Sequence, residues 1–392
     1  MNPRIKLGIE NLLDRPPSWL KDKRIALLGN QASVDSGLRH SSHLISQVSH
    51  QNLKALFGPQ HGMYAEKQDN MKESSHFIHP CLKIPVFSLY GETRVPTKEM
   101  LEEIDVLIID LQDVGTRVYT FISTMAYCLK CAAQYQKKVV VLDRPNPIGG
   151  SILEGNLLKE GLRSFVGIYP LPMRHGLTIA ELANFLNCSD KIACDLEVIP
   201  MKGWSRKMYF ADTGLTWVPP SPNMPIPDTA IVYPGQVILE GTNISEGRGT
   251  TQPFETFGAP FINPLLLKKE IDMKKIKGVF LREIFFQPTF NKWQGELCGG
   301  LQIHITDRRD YRPYLTTLAI VESIISLYPN EFSWSDPPYE YEYERMPIDL
   351  ILGDDDLRRD IEQLKGLDRI EASWQKGLIH FKKRAKDFYL YS

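Results

Sequence analysis

Two short apolar runs separated by one amphipathic segment constrain the fold of this chain more than any other feature. Residues 106–109 and residues 139–142 carry only aliphatic side chains, as expected of parallel strands that are buried on both faces. Between them, apolar side chains from Val118 to Ala132 recur at intervals of three and four residues, which is typical of a helix with one buried face. The stretch therefore predicts a parallel strand–helix–strand unit.

The same alternation continues on both sides of this unit. We predict further strands at residues 25–30, 53–57, 84–89 and 196–200, and further helices at residues 38–48, 98–104 and 178–186. The last of these helices begins with a capping box, because Thr178 is followed three residues later by Glu181. Strands that alternate with helices indicate the α/β class, with a Rossmann-like, doubly wound parallel sheet.

A proline-rich segment at residues 218–227 interrupts the alternation and predicts a domain junction. A chain of 392 residues exceeds what one core usually supports. We therefore expect a Rossmann-like N-terminal domain at residues 1–228 and a smaller α+β domain at residues 229–392. In the second domain we predict a strand followed by a glycine-rich loop at residues 233–249, a strand at residues 301–306, and helices at residues 314–327, 354–365 and 368–377.

The charge and the cysteine content favour a protein that acts on a small molecule. The 46 basic and 47 acidic residues nearly cancel, so bulk electrostatics favour neither nucleic acid nor a membrane surface as a partner. The first 23 residues are charged and lack a long apolar run, from which we expect no signal peptide, no membrane span and a cytoplasmic location. The six cysteines are expected to be reduced, and Cys128 and Cys131 to pack inside a helix. The oligomeric state stays open.

Several familiar motifs are missing from the sequence. It contains neither G-x-G-x-x-G after a strand nor a G-x-x-x-x-G-K-[ST] phosphate loop, and its histidines do not have zinc-site spacing. A G-x-S-x-G nucleophile turn is also missing. We therefore expect no cofactor and no metal. The remaining carboxylates, histidines, arginines and asparagines suit a sugar substrate and the cleavage of a glycosidic bond.

Polar residues cluster where the predicted strands end, and ligands of open α/β sheets bind at those ends. Asp113 follows the first strand of the central unit, and Asp143 and Arg144 follow the second. His61 and His175 lie in loops that contain glycine, so we predict that both reach the cleft as hydrogen-bond donors or proton carriers. Asp113 has an alternative role as the cap of the helix that follows it.

Seven motifs occur in order along nearly the whole chain. They are Gly58-Pro59-x-His61-Gly62, Ser88-Leu89-Tyr90-Gly91 with Thr93-Arg94-x-Pro96-Thr97, Asp110-x-Gln112-Asp113-Val114-Gly115-x-Arg117-x-Tyr119-Thr120, Asp143-Arg144-Pro145-Asn146-Pro147, Arg174-His175-Gly176-x-Thr178, Pro220-Ser221-Pro222-Asn223 and Glu240-Gly241-Thr242-Asn243-x-Ser245-x-Gly247-Arg248-Gly249-Thr250. This set resembles the exo-β-N-acetylmuramidase (NamZ) family. The resemblance implies a cleft between two domains and the release of N-acetylmuramic acid from the non-reducing ends of peptidoglycan fragments.

The strand ends and these motifs together predict the site residues. We expect catalytic roles for Glu240, Asp113, Glu66, His61 and His175. We expect a small sugar or a muropeptide-type substrate to be bound by the other polar motif residues, namely Asn30, Gln60, Arg117, Tyr119, Asp143, Arg144, Asn146, Arg174, Asn223, Asn243, Glu246 and Arg248.

Position 60 departs from the family pattern. Many relatives carry glutamate where this chain has Gln60, and an amide cannot donate and recover a proton as a carboxylic acid does. Glu66 or another carboxylate is then the candidate replacement. Two alternatives stay open: a glycosidase for another acidic or N-acetylated sugar, and a sugar-binding protein that has lost its catalytic acid.

Five arginines in the motifs, at positions 94, 117, 144, 174 and 248, suggest a locally positive cleft. Muramic acid differs from glucosamine by a lactyl carboxylate, which a guanidinium group can bind through two parallel hydrogen bonds. We expect Arg174 or Arg248 to bind it, because neither has an acidic residue in its own motif closer than Glu246, whereas Arg144 adjoins Asp143 and Arg117 follows Asp113. The alternative is that the arginines are internal struts paired with Asp110, Asp113 and Asp143.

Overall fold

The computed structural model describes residues 5–69 and 71–392. Its strands are β1 (Ile25–Gly29), β2 (Leu53–Gly58), β3 (Phe77–Ile78), β4 (Pro85–Ser88), β5 (Val106–Asp110), β6 (Lys138–Leu142), β7 (Glu154–Leu157), β8 (Pro172–Arg174), β9 (Leu196–Ile199), β10 (Thr256–Ala259), β11 (Val279–Phe286) and β12 (Cys298–Ile305). Its α-helices are α1 (Gly8–Asp14), α2 (Trp19–Asp22), α3 (Ser41–Val48), α4 (Lys98–Glu102), α5 (Phe121–Gln134), α6 (Ile179–Ser189), α7 (Pro227–Gln236), α8 (Pro264–Asp272), α9 (Pro313–Leu327), α10 (Pro347–Leu352), α11 (Asp355–Glu362) and α12 (Leu367–Ala385).

A seven-stranded sheet with the order β3-β4-β2-β1-β5-β6-β9 forms the centre of the N-terminal part. All of its neighbouring pairs are parallel except the short edge pair of β3 and β4. From β1 the chain builds outward to β2 and β4 on one side, then returns to β5 and continues to β6 and β9 on the other. This is the predicted doubly wound α/β sheet, and it is confirmed.

The predicted strand–helix–strand unit is formed by β5, α5 and β6. Every residue of β5 is buried, and β5 pairs with β6 from Val106 opposite Lys138 to Ile109 opposite Val141. Helix α5 buries its apolar face, including Cys128 and Cys131, which are free thiols within the core. Burial raises the pKa of the Cys131 thiol, as expected of a packing role.

The C-terminal part contains an antiparallel sheet with the order β10-β12-β11 and the helices from α8 onward. Helix α9 is buried along most of its length and contacts α7, α8, α12 and β7. One apolar core extends through both parts of the chain, from Ala26 in β1 to Ala385 in α12. Within the described residues, no helix combines the length and the apolar character that crossing a bilayer requires.

Residues 233–249 differ from the prediction of a strand and a loop. They begin inside α7, and a 3₁₀-helix follows at Val237–Gly241. Pro227 occupies the first turn of α7, where its missing N–H costs nothing. All residues from Thr229 to Gln236 are buried, so the segment has no exposed polar face and shows no helical period in the sequence. Glu240 therefore lies in a 3₁₀-helix and not at a strand end.

Candidate active site

A narrow pocket with an atom-free volume of about 460 Å³ lies where the two parts of the chain meet. The N-terminal part contributes the loop after β2, the segment that leads into α5, and the proline-rich stretch. The C-terminal part contributes the 3₁₀-helix after α7 and the loops around residues 248 and 340. We call this the central pocket; its polar lining residues are Gln60, His61, Tyr119, Thr120, Ser221, Asn223, Tyr233, Glu240, Arg248, Tyr339 and Glu340.

Glu340 is the carboxyl group of this pocket that no cationic side chain of the described residues contacts. Tyr90 donates a hydrogen bond to Glu340 Oε2 at 2.7 Å, and Gln60 Nε2 donates one to Oε1 at 2.9 Å. Burial raises the pKa of Glu340 to about 7; the nearby Glu240 charge adds to the rise, while the two hydrogen bonds and the Arg248 charge oppose it. The group can therefore hold a proton near neutral pH.

Glu240 has the opposite environment. Arg248 Nη2 contacts Glu240 Oε1 at 2.6 Å, and the Tyr339 hydroxyl donates to Oε2 at 2.6 Å. Arg248 also lies 3.1 Å from Glu246, which Lys292 contacts at 3.0 Å. Burial favours the neutral form of Glu246, but Lys292 and Arg248 outweigh it and hold its pKa below the usual range. The pocket thus contains one ion-paired carboxylate and one carboxyl group without a cation.

The loop after β2 places Gln60 and His61 in the wall. His61 has a left-handed backbone (φ 71°), and Gly62 follows with φ 87°. The short turn holds His61 Nδ1 at 2.8 Å from the Lys67 carbonyl, so Nδ1 carries the proton and Nε2 is the acceptor. Burial lowers the pKa of His61 to about 4, and the ring is neutral at pH 7. Gln60 accepts a hydrogen bond of 2.5 Å from Thr120 Oγ1, which fixes the orientation of its amide.

Two other predicted binding residues line the central pocket. Tyr119 is buried, its hydroxyl lies beside Ser221, and its ring packs edge-on against Tyr233 at 5.9 Å. Asn223 lies in the proline-rich stretch and donates from Nδ2 to the Gln68 carbonyl at 3.0 Å. The central pocket therefore gathers Glu240, His61, Gln60, Tyr119, Asn223 and Arg248 from the predicted set.

The polar residues at the ends of β5 and β6 are engaged with one another and do not line the central pocket. Arg144 Nε and Nη2 contact Asp110 at 2.5 and 2.8 Å, with both side chains almost fully buried. Asp143 accepts from the Ala180 N–H at 3.0 Å and from Thr178 Oγ1 at 2.9 Å, and so holds the start of α6. These residues act as internal struts, the alternative that the sequence left open for Arg144.

Asp113 and His175 lie close to each other but outside the central pocket. His175 Nε2 is 3.2 Å from Asp113 Oδ2, which also accepts the Gly115 N–H at 2.7 Å. Thr120 is the N-cap of α5, so Asp113 does not cap that helix. His175 Nδ1 accepts the Leu177 N–H at 3.1 Å. The pair ties the loop after β5 to the loop after β8.

The remaining predicted residues are bound to the backbone or lie at the surface. Arg117 donates to four carbonyl oxygens, among them those of Ile351 and Leu352 in α10. The side chains that bind nearby carbonyl oxygens include Asn30 (Pro220, 2.6 Å), Asn146 (Leu177, 2.9 Å), Asn243 (Glu331, 2.7 Å) and Arg174 (Ile148). Glu66 is exposed and accepts the Tyr64 N–H at 3.2 Å. None of these residues lines the central pocket.

Sequence reasoning missed Glu340 and the tyrosines that bind the two carboxyl groups, Tyr90 and Tyr339. One sequence signal was present, because Glu340 lies in an alternation of tyrosine and glutamate directly after two prolines, in residues 337–342. Glu340 and Tyr341 both have left-handed backbones (φ 47° and 66°), which mark a constrained turn. No periodic pattern identifies such a turn, and its distance of 280 residues from Gln60 hides the contact.

Metal-ligand geometry occurs at the protein surface. Among the described residues, Asp354, Asp355 and Asp356 form the single group of acidic, histidine or cysteine side chains close enough to share an ion. Lys159 Nζ contacts all three carboxylates at 2.5 to 3.1 Å. The lysine therefore already occupies the place that a cation would take.

Comparison with known proteins identifies the family. The N-terminal model of the exo-β-N-acetylmuramidase NamZ family matches residues 25–228, and its C-terminal model matches residues 231–391. The chain is 42% identical over 389 residues to the peptidoglycan β-N-acetylmuramidase NamZ of Bacillus subtilis (strain 168), covering 99% of this chain and 92% of that protein.

Two crystal structures have the same fold, and both are DUF1343 family proteins from Bacteroides fragilis NCTC 9343. One superposes with a TM-score of 0.88 at 34% identity over 99% of both chains. The other superposes with a TM-score of 0.77 at 27% identity, over 100% of this chain and 99% of its own. With both family models matched along nearly the whole sequence, the chain belongs to the exo-β-N-acetylmuramidase NamZ family.

Proposed function

We propose that this protein is an exo-acting glycoside hydrolase that releases N-acetylmuramic acid from the non-reducing ends of peptidoglycan fragments, with its active site in the central pocket. Family membership and the named B. subtilis relative support the reaction. One structural observation carries the assignment of the site: Glu240 and Glu340 share the central pocket, Glu240 is ion-paired with Arg248, and burial raises the pKa of Glu340 to about 7.

Hydrolysis of a glycosidic bond by the usual route needs a protonated acid and a second carboxylate. We assign the acid to Glu340, which has no cation in contact with it and a pKa of about 7, so that it can protonate the leaving oxygen. We assign the second role to Glu240, whose ion pair with Arg248 supports a charged carboxylate beside the anomeric carbon. The neutral His61 can accept a hydrogen bond from a sugar hydroxyl through Nε2.

Gln60 has a positioning role in this scheme. Its amide bridges Thr120 and Glu340, so it holds the Glu340 carboxyl group without exchanging a proton. The loss of a glutamate at position 60 then leaves the acid function with Glu340. Glu66, the replacement suggested by the sequence, is exposed and bound to its own loop, and it does not take part in the proposal.

Arg94 is our candidate for binding the lactyl carboxylate. Arg248, one of the two arginines favoured by the sequence, is ion-paired with Glu240 and Glu246, although its Nη1 has no hydrogen-bond partner among the described residues. Arg174, the other, does not line the central pocket. Arg94 does not line the central pocket either, but it lies 4.0 Å above the ring of Tyr341, the residue that follows Glu340 in the sequence. Its side chain forms no hydrogen bond or ion pair with the described residues. Stacking orients the guanidinium while leaving its N–H groups available to a carboxylate.

A chromogenic N-acetylmuraminide assayed beside the matching N-acetylglucosaminide tests the proposal. We expect turnover of the muraminide and a much lower kcat/KM for the glucosaminide. Preferred turnover of a different acidic or N-acetylated sugar would show a changed substrate. Tight binding without turnover would show a sugar-binding protein, and in that case Gln60→Glu is expected to install activity by restoring the carboxyl group of the relatives.

A further inference from the structure

A second pocket in the protein is strongly basic. It has an atom-free volume of about 810 Å³. We call it the basic pocket; its wall includes Arg174, Arg206, Lys207, Arg309, Ile152 and Tyr209. Four of the nine residues that line it are cationic, and none of the nine is acidic. It shares no lining residue with the central pocket.

Arg174 is the residue that makes this pocket unusual. Its side chain is 1% exposed, and its Nη2 donates to the Ile148 carbonyl and lies 3.3 Å from the Tyr209 hydroxyl, both neutral groups. Its Nε and Nη1 have no hydrogen-bond partner among the described residues. A buried guanidinium with unused donors is costly unless an anion or water satisfies it.

Two carboxylates around the basic pocket, Glu181 and Asp212, are engaged elsewhere. Glu154 pairs in register with Arg174 across β7 and β8 and accepts the Leu315 N–H through Oε1. Burial raises the pKa of Glu154 to about 7, although the nearby Arg174 charge opposes the rise. Glu181 is bound by Arg206 at 2.8 Å. Asp212, which contributes negative potential at Arg309, is bound by Arg308 at 2.6 Å. The charge on Arg174 is therefore only partly balanced near neutral pH.

Two exposed cationic side chains lie at the rim of the basic pocket. Lys207 and Arg309 are exposed and form no ion pair with the described residues. Together with Arg174 they surround one cavity with three cationic groups, an arrangement that suits the several oxygens of a phosphate group better than a single carboxylate. Ile152 and the Tyr209 ring supply an apolar wall for the carbon skeleton of a ligand.

We propose that the basic pocket is a binding site for a phosphate group, carried by a small sugar-sized molecule or free in solution. Arg174 binds the phosphate from the buried wall, and Lys207 and Arg309 bind it from the rim. This site is separate from the proposed glycosidase site, and its existence does not depend on the proposed function.

Calorimetric titration of the full chain with inorganic phosphate, N-acetylglucosamine 6-phosphate and unphosphorylated N-acetylglucosamine tests the site. The test variant is Lys207→Ser with Arg309→Ser, and the control is Lys269→Ser with Arg369→Ser, which removes the same charges from exposed helical positions. We expect the wild type and the control to bind a phosphate probe, and the rim variant to bind it about tenfold more weakly. Binding should also weaken as ionic strength rises.

The two phosphate probes separate the sources of the ligand. Tighter binding of the sugar phosphate than of inorganic phosphate identifies a phosphorylated small molecule, and equal binding identifies free phosphate. The proposal is overturned if neither probe binds at about 10 mM. It is also overturned if the rim variant, with an unchanged unfolding temperature, binds as tightly as the wild type, because the contact would then lie elsewhere.

Discussion

Two clusters of buried charge in this protein are built from the same residue types and have opposite characters. At the ends of β5 and β6, Arg144 covers both oxygens of Asp110, and Asp143 is saturated by the start of α6. In the central pocket, Glu240 has its arginine while Glu340 has only neutral donors. Burial raises the pKa of Asp143 to about 7, as it does for Glu340, so the two carboxyl groups differ in access: Asp143 is enclosed by α6 and Tyr391, whereas Glu340 lines a pocket and can pass a proton to a ligand.

The strand-end rule is the reason that the sequence predicts a site at the first cluster. Ligands of doubly wound sheets bind at the carboxyl ends of the strands, near the switch point. Here the switch point lies between β1 and β5, and its polar groups are used internally: Asn30 binds the Pro220 carbonyl and Asp110 binds Arg144. The central pocket instead forms where the loop after β2 meets the C-terminal part.

The variant Glu340→Gln tests the role of the central pocket most directly. The amide keeps the shape of the side chain but cannot protonate a leaving group, so we expect kcat on an N-acetylmuraminide to fall by about 10²- to 10⁴-fold. The matched control is Glu342→Gln, two residues beyond Glu340, which changes a carboxylate that is paired with Arg345. Full turnover by folded Glu340→Gln would remove Glu340 as the acid.

Arg144→Met tests the other cluster. It leaves Asp110 buried without its partner, and we expect a loss of about 3 to 5 kcal/mol in the free energy of unfolding. Denaturant titration measures this loss, while the KM of the remaining folded enzyme and its pH profile should not change. A variant that keeps its stability and loses substrate affinity would place Arg144 in the site after all.

Arg94→Met tests the unpaired guanidinium that stacks on Tyr341, next to the pocket residue Glu340. Loss of the guanidinium should lower kcat/KM for the muraminide about tenfold and leave the slow glucosaminide rate unchanged. Arg163→Met serves as control, because Arg163 also lies over a tyrosine ring (Tyr169, 5.2 Å) but is ion-paired with Glu160. Equal losses on both substrates would assign Arg94 a structural role.

Tyr90→Phe should produce the smallest effect, a shift in pH dependence. The Tyr90 hydroxyl stabilises the charged form of Glu340, so its removal raises the pKa of Glu340 above its value of about 7. Since the acid must be protonated, the alkaline limb of the kcat/KM profile should move upward by about one pH unit. Tyr343→Phe, at an exposed position, should leave the profile in place. A downward shift would contradict the assignment.

Local patterns in the sequence determined the N-terminal fold. The apolar runs of β5 and β6 and the spaced apolar face of α5 can be recognised within short windows, because burial of a strand or of a helix face imposes its own period. The capping box at Thr178 and Glu181 is equally local and is present in the structure. Helix α7 was misread because a helix buried on every side carries no such period.

The sequence also determined several residues of the central pocket, since the motifs containing His61, Tyr119, Asn223, Glu240 and Arg248 all contribute to its wall. Only the tertiary structure decided which charges are paired. Arg144 adjoins Asp143 in sequence yet binds Asp110, and Gln60 meets Glu340 across 280 residues. Whether a carboxyl group holds a proton depends on burial and on partners within a few ångströms, and these come together only when the chain folds.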